Sequence, residues 1–246
     1  MKKISIIILI LIVFILWYYE FDLFKSEKYI PNEYETELID YFKEIALNSE
    51  YDDSPKKILK WNKSMVLFIF KDKEYKNQMR VINKTITNIN KIVSDGFKIE
   101  LTNDILKSNS MLFLGRRENI EALNPEFFDG IDGEFAGLAS VEFEFENYEI
   151  EKVEIFIDIG QPFNLQECAI LEEITQSIGL MNDSERYNNS VFYENKTHDS
   201  ILTNKYSKMD KDVIKLLYNP KMKSGLNIKQ SERIIKNILQ NNQSSM

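Results

Sequence analysis

Apolar and polar positions repeat along this chain with two different periods. Between 73 and 93, Met79, Ile82, Ile86, Ile89 and Val93 recur at spacings of three and four. That spacing places them on one face of a helix and predicts a long amphipathic helix ended by Asp95-Gly96. Leu38, Phe42 and Ile45 predict a second helix over 34–47. Further helices are expected over 165–180, 208–217 and 231–239. Between 139 and 145 the period is two instead. Val141, Phe143 and Phe145 alternate with Glu142, Glu144 and Glu146, which predicts a half-buried strand with an acidic outer face. Runs rich in β-branched and aromatic residues predict one or two strands over 58–70, and single strands over 97–101, 110–114 and 152–159. Residues 48–57, 125–137 with Gly130 and Gly133, and Gly160-Gln161-Pro162 read as loops or turns. Helices segregated from a mixed sheet make the expected class α+β, or mixed α/β.

The first two dozen residues follow neither pattern. Lys2-Lys3 precedes sixteen residues, 4–19, in which Ser5 is the only polar non-aromatic side chain. A basic flank before an apolar run is the order of a secretion signal. No alanine occurs before Ala46, and Trp17-Tyr18-Tyr19-Glu20-Phe21 offers no small-x-small cleavage site. The expectation is therefore an uncleaved signal anchor over 1–24. The run would span about 24 Å as a helix, short of a ~30 Å hydrocarbon core, with the Trp and Tyr residues extending it into the interface. By the positive-inside rule, Lys2 and Lys3 stay cytoplasmic and the rest is periplasmic or extracellular. Residues 25–33, with Pro31, then read as a spacer, and 34–246 as one extracytoplasmic domain.

Composition changes the picture in three ways. The 246 residues carry 31 basic and 39 acidic side chains, a formal charge of −8, with no basic stripe interleaved with aromatics. That sign repels phosphate backbones and argues against a nucleic-acid partner. With 43% hydrophobic residues, 8 Gly and 5 Pro, the chain has the means to bury a sizeable core. Cys168 is the only cysteine, so no intrachain disulfide is available; a lone thiol before an apolar helix reads as a small buried hydrophobe rather than a nucleophile.

The chemistry is concentrated in Glu167-Cys168-Ala169-Ile170-Leu171-Glu172-Glu173-Ile174-Thr175-Gln176-Ser177-Ile178-Gly179-Leu180-Met181-Asn182-Asp183-Ser184. Leu171, Ile174 and Ile178 form a buried stripe. Glu172 and Gln176, four apart, share another face, and Gly179 is suited to end the helix in a left-handed conformation. A metzincin-type zinc peptidase carries H-E-x-x-H-x-x-G-x-x-H, in which three His bind zinc and Glu activates its water. Aligned on Gly179, Glu172 and Gln176 fall where the two helical His belong, Glu173 at the general base and Asn182 at the third ligand. Downstream, Ser190-Val191-Phe192 occupies the place of a methionine turn, and Ser207-x-x-Asp210-x-x-x-Ile214-x-x-Leu217-Tyr218 resembles the helix that closes such domains.

These segments resemble an uncharacterised bacterial family of secreted or anchored proteins, a domain of unknown function with a degenerate zincin, metalloprotease-like fold. The resemblance covers about residues 165–226. It implies a twisted mixed sheet, a long backing helix, here 73–93, an active-site-type helix, here 165–180, and C-terminal helices. It supplies a scaffold and no reaction.

On chemistry, one carboxylate and two amides are a poor zinc set, so no zinc or other cofactor is expected. His198, the only histidine, lies in a polar loop, where a solvated side chain and a ligand both remain open. Two functions follow. One is a pseudo-enzyme that binds a peptide or a cell-envelope component by strand addition. The other is a hydrolase with altered, non-zinc chemistry, in which Glu173 is the general base and Glu172, Gln176 and Asn182 position water or another ion. A purely structural role for the four residues, with Gln176 bonded to Glu172, stands beside both.

Overall fold

A computed structural model describes residues 29–48, 55–131, 133–194 and 202–243. The anchor read over 1–24 lies outside the described residues, and so does His198. Among the described residues no helix is long and apolar enough to cross a membrane.

Mixed α/β architecture is what the chain adopts. Five strands form one sheet in the order β2-β1-β3-β5-β4. They are β1 (Met65–Lys71), β2 (Ile99–Thr102), β3 (Ser110–Gly115), β4 (Gly137–Phe143) and β5 (Ile150–Asp158). Neighbours are parallel except β4, which runs antiparallel to β5 at one edge. The described residues also contain six α-helices: α1 (Glu33–Leu47), α2 (Gln78–Ile92), α3 (Arg117–Leu123), α4 (Phe163–Gln176), α5 (Lys208–Leu217) and α6 (Ile228–Gln243).

The central strands are covered on both faces, as parallel strands require. Leu112 and Leu114 of β3 and Val153, Ile155 and Ile157 of β5 enter the main core, which α2 and α4 cover. The intervening Phe113 and Phe156 point the other way, into a smaller aromatic cluster with Ile120 of α3, Phe127 and Phe128. The alternation follows from the two-residue period of a strand. A second layer, α1 with α5 and α6, packs outside α2 and α4. Gln78 of α2 donates to Gln166 of α4 at 2.7 Å, so the two inner helices are tied by an amide pair as well as by apolar contact.

Local signals account for most of the ends. Asn32 caps α1 with a reciprocal bond from its own backbone to Glu35, and Ser207 and Asp210 form the same box at α5. Tyr29, inside the stretch read as spacer, packs against the core. The helix expected from 73 begins at Gln78; in 73–77 the one aromatic side chain, Tyr75, stays exposed and anchors no turn to the core. Residues 58–61 are not a strand. Ile58, Leu59 and Trp61 are fully buried, but among the described residues the segment makes one isolated bridge, from Lys60 to Glu149, beside that of the preceding Lys57 to Asn227. The 3-10 turn Pro125–Phe128 falls in the stretch read as a loop, while α3 and the 3-10 turn Ile105–Lys107 fall in stretches to which the sequence pattern assigned no element.

Lys60 fixes that irregular segment. Its ammonium donates to Asp95 at 2.6 Å and to the carbonyls of Leu217 and Met222 at 3.0 and 3.1 Å. A cation at the carbonyl-rich end of α5 is favoured by the helix dipole and satisfies acceptors that the helix leaves open. Burial holds the Lys60 pKa below the usual lysine range, with Asp95 opposing part of that shift.

Candidate functional site

The helix α4 carries the Glu-Glu-x-x-Gln segment, and it ends three residues before the predicted Gly179. Thr175 bonds back to the Leu171 carbonyl at 2.5 Å and Ser177 to that of Ile174 at 2.8 Å. The last turn then tightens, with Ile178 reaching Thr175 and Gly179 reaching Gln176. The open carbonyls find side chains: Trp61 donates to Ser177 at 3.0 Å and Tyr218 to Ile178 at 2.9 Å. Gly179 itself has φ +105°, and a Cβ there would lie 2.1 Å from the Leu59 carbonyl oxygen. Only glycine meets both demands.

The glutamates at 172 and 173 separate, as adjacent helical residues must. Glu172 is half-buried on the side of Cys168, whose thiol is pushed up to about 11 by burial and by the two glutamates Glu172 and Glu167. That raised thiol has little nucleophilic character at neutral pH. Glu173 is 8% exposed and faces the sheet at the start of β4. A Cβ on Gly137 would come within 2.8 Å of Glu173 Cγ and 2.9 Å of Ala169 Cβ. The helix therefore lies against the edge strand at a distance that glycine permits.

Gln176 and the turn after Gly179 do converge. The Gln176 amide nitrogen donates to Asp183 Oδ1 at 2.9 Å, while the Asn182 amide donates to the Asp183 carbonyl at 2.6 Å. The link between helix and turn is thus a hydrogen bond made by Asp183, one residue beyond the position that the zinc pattern assigns. The structural reading names Glu172 as a partner of Gln176, and Asp183 is an acceptor of its amide from the turn. Among the described residues no three His, Cys, Asp or Glu side chains gather as a metal-binding group.

Beneath this turn runs a buried polar chain that the motif pattern only partly shows. Tyr41 of α1 meets Ser190 at 2.7 Å, and Ser190 donates to Asp210 at 2.5 Å. Asp210 is fully buried and accepts also from the backbone nitrogens of Val191 and Ser207, at 3.3 and 2.7 Å. Burial pushes its carboxyl above the usual aspartate range, with the donors Ser190 and Ser207 opposing. The chain ties the 190–192 turn to α5. Ser207-x-x-Asp210 was visible as a capping box; the reach of Asp210 to Ser190, seventeen residues before the box opens, carries no local signal. Gly137 and Tyr41 likewise had none, since neither belongs to a motif.

Beside α4, the strand β4 pairs only with β5 among the described strands, so its outer edge has no strand partner. Ser140 and Glu142 are exposed along it. The site is therefore a helix carrying two glutamates and a glutamine, a turn bonded to that helix, and an open sheet edge running past both.

A family model described as a protein of unknown function (DUF2927) matches residues 35–237. The chain belongs to this family. The match runs from α1 to within α6, so it takes in the whole sheet and the site. No curated protein matches the chain.

Proposed function

We propose that this member of the family is a membrane-tethered, extracytoplasmic module with a zincin-like scaffold that has lost its zinc ligation and binds an extended peptide or envelope segment along β4. The observation that carries the reading is the open edge of β4 held against α4 at Gly137 and Glu173. An unpaired strand edge presents peptide N–H and C=O groups in register for an incoming strand. The tether is the apolar segment 4–19, and no nucleic acid is involved.

The donor chemistry supports the loss of zinc. Glu172, Gln176 and Asn182 offer one carboxylate and two amides, and both amides donate to Asp183. These residues do not fit a zinc site, which needs imidazole, thiolate or several carboxylates. The Gln176 to Asp183 bond performs the mechanical task of joining helix to turn. The Asp210 chain supports the scaffold reading further, because it ties the 190–192 turn to α5, the turn and closing helix that the resemblance names.

The test uses the full chain in detergent micelles. A display library of extended peptides is selected against it, and the selected peptides are crosslinked from a photoreactive residue placed at Ser140. Crosslinking at Ser140 and not from Lys229, with recovery unchanged in Glu173→Gln, is the expected result. Turnover of a selected peptide that Glu173→Gln abolishes would replace this reading by the hydrolase. Stoichiometric zinc in the purified chain, or a mature form shorter by about 20 residues, would overturn the metal-free and the tethered parts respectively.

A further inference from the structure

On the opposite side of α4 from Glu173 lies a second depression, of about 330 Å³, between α2, α4 and the residues that lead into α5. Leu171 lines it, and Leu171 and Glu173 point about 200° apart on the helix, so this depression is separate from the β4 edge. Its size is at the lower end of small-molecule sites. Its charge is opposite to that of the protein. Arg80, Lys84, Lys91, Lys205 and Lys211 line it against the single carboxylate of Glu167, in a chain with a net charge of −8.

Arg80 of this set is paired with Glu167 at 3.3 Å. Among the described residues Lys84, Lys91 and Lys211 pair with no carboxylate. Other lysines of the chain do have carboxylate partners, among them Lys43 with Asp40 and Glu232, Lys152 with Glu142 and Glu154, and Lys208 with Asp212, whereas Lys215 and Lys229 stand apart singly; what distinguishes the depression is that its cations are gathered in one place. On so acidic a surface, like charges collected on both walls of one depression repel one another with only Glu167 to compensate, and an anion between them removes that repulsion. The floor contributes Val81, Thr85 and Tyr206, all buried, so the field of the lysines acts over a low-dielectric base.

We propose that this depression binds a linear anion built of several phosphoryl groups. Lys84 and Lys91 are seven residues apart on α2, which separates their backbone positions by about 10 Å along the helix axis. The cations are therefore strung along a line and do not converge on one point, which suits a chain of charges better than a single orthophosphate. The set is also dominated by ammonium groups. These act as point charges and lack the planar fork that selects a carboxylate. The phosphoryl chain is either free or carried on a phosphodiester polymer without bases, such as a polyol phosphate, and the charge that the lysines recognise is of the same kind in both.

Inorganic tripolyphosphate is the probe, titrated calorimetrically into the full chain in detergent micelles at low salt, beside orthophosphate and a short glycerol phosphate polymer. Saturable binding of tripolyphosphate, at least about tenfold tighter than orthophosphate and weakening steeply with salt, is the expected result. Lys84→Glu/Lys91→Glu should lose at least about tenfold, whereas Lys215→Glu/Lys229→Glu, an equal change of net charge elsewhere on the surface, should stay within about twofold. All four lysines are exposed, and circular dichroism checks that each variant folds. A polymer affinity above that of tripolyphosphate assigns the polymeric source, and the reverse assigns the free one. The proposal is overturned by non-saturable binding, by equal affinity for orthophosphate, or by equal loss in the two double variants. Wild-type binding to anionic lipid vesicles without binding to tripolyphosphate would likewise overturn it, in favour of a membrane surface.

Discussion

Gly137 and Glu173 meet where the edge strand passes the helix: the Cβ that Gly137 lacks would stand 2.8 Å from Glu173 Cγ and 2.9 Å from its Oε1. The glutamate side chain could yield, but Ala169 Cβ, 2.9 Å away on the same helix, could not without moving the backbone. Gly137→Ala is expected to cost about 1–3 kcal/mol, the usual range for overpacking. Glu173→Ala in the same chain should recover part of that loss and leave the part due to Ala169. A double-mutant cycle read from denaturant midpoints checks the coupling.

Gly179→Ala combines a left-handed backbone with a steric conflict that has no flexible partner. The Leu59 carbonyl oxygen 2.1 Å from the added Cβ belongs to a segment pinned by the buried Trp61 and Lys60. A loss of at least about 3 kcal/mol is expected. Far-ultraviolet dichroism on heating would register it as a lowered transition, or as a chain that does not fold.

Asp210→Asn keeps the shape of the side chain and removes one acceptor. Ser190 Oγ, Val191 N and Ser207 N all donate to this carboxylate, so at least one buried donor is left facing an amide nitrogen. A cost of about 2–4 kcal/mol is expected. The variant should also loosen the 190–192 turn, and hydrogen exchange at the Val191 amide would report that loosening apart from global stability.

The outer helices carry a pH dependence of known sign. The hydrogen bond from Lys236 above all holds the Glu232 carboxyl below the usual glutamate range; burial opposes it, and Lys43 adds to the lowering. A carboxyl with a lowered folded pKa stabilises the fold above its ordinary, unfolded value, and that contribution disappears as pH falls through the lower folded value. Glu232→Gln should therefore narrow the stability gap to wild type as the solution is acidified below the ordinary glutamate pKa. Melting temperatures of both chains measured across the acid range would show the curves converging. A gap independent of pH would refute the assignment.

Some of this architecture was legible before any coordinates. The stripe Met79, Ile82, Ile86, Ile89 and Val93 identified α2 because its spacing is the helical period itself, and α5 has the bounds its capping box and stripe predict. The helix α3 was not legible: Ile120 is its single buried residue, and one apolar position defines no period. At the end of β4 the alternation over-reads the strand by two residues. A bulge at Glu142 and Phe143 breaks the register, and Phe145 is left 76% exposed.

The site divides along the same line. Local periodicity and spacing determined that Glu172 and Gln176 share a helix face, that Glu173 faces elsewhere and that Gly179 turns the chain, because each is a consequence of helical geometry within a few residues. Only the tertiary structure decided that Asp183 accepts from Gln176, that Glu173 lies against Gly137, that Asp210 reaches Ser190, and that lysines from α2 and α5 enclose one depression. Those pairings join segments between seven and more than a hundred residues apart in the chain. No periodicity spans such distances; the packing of helices on a shared sheet sets them.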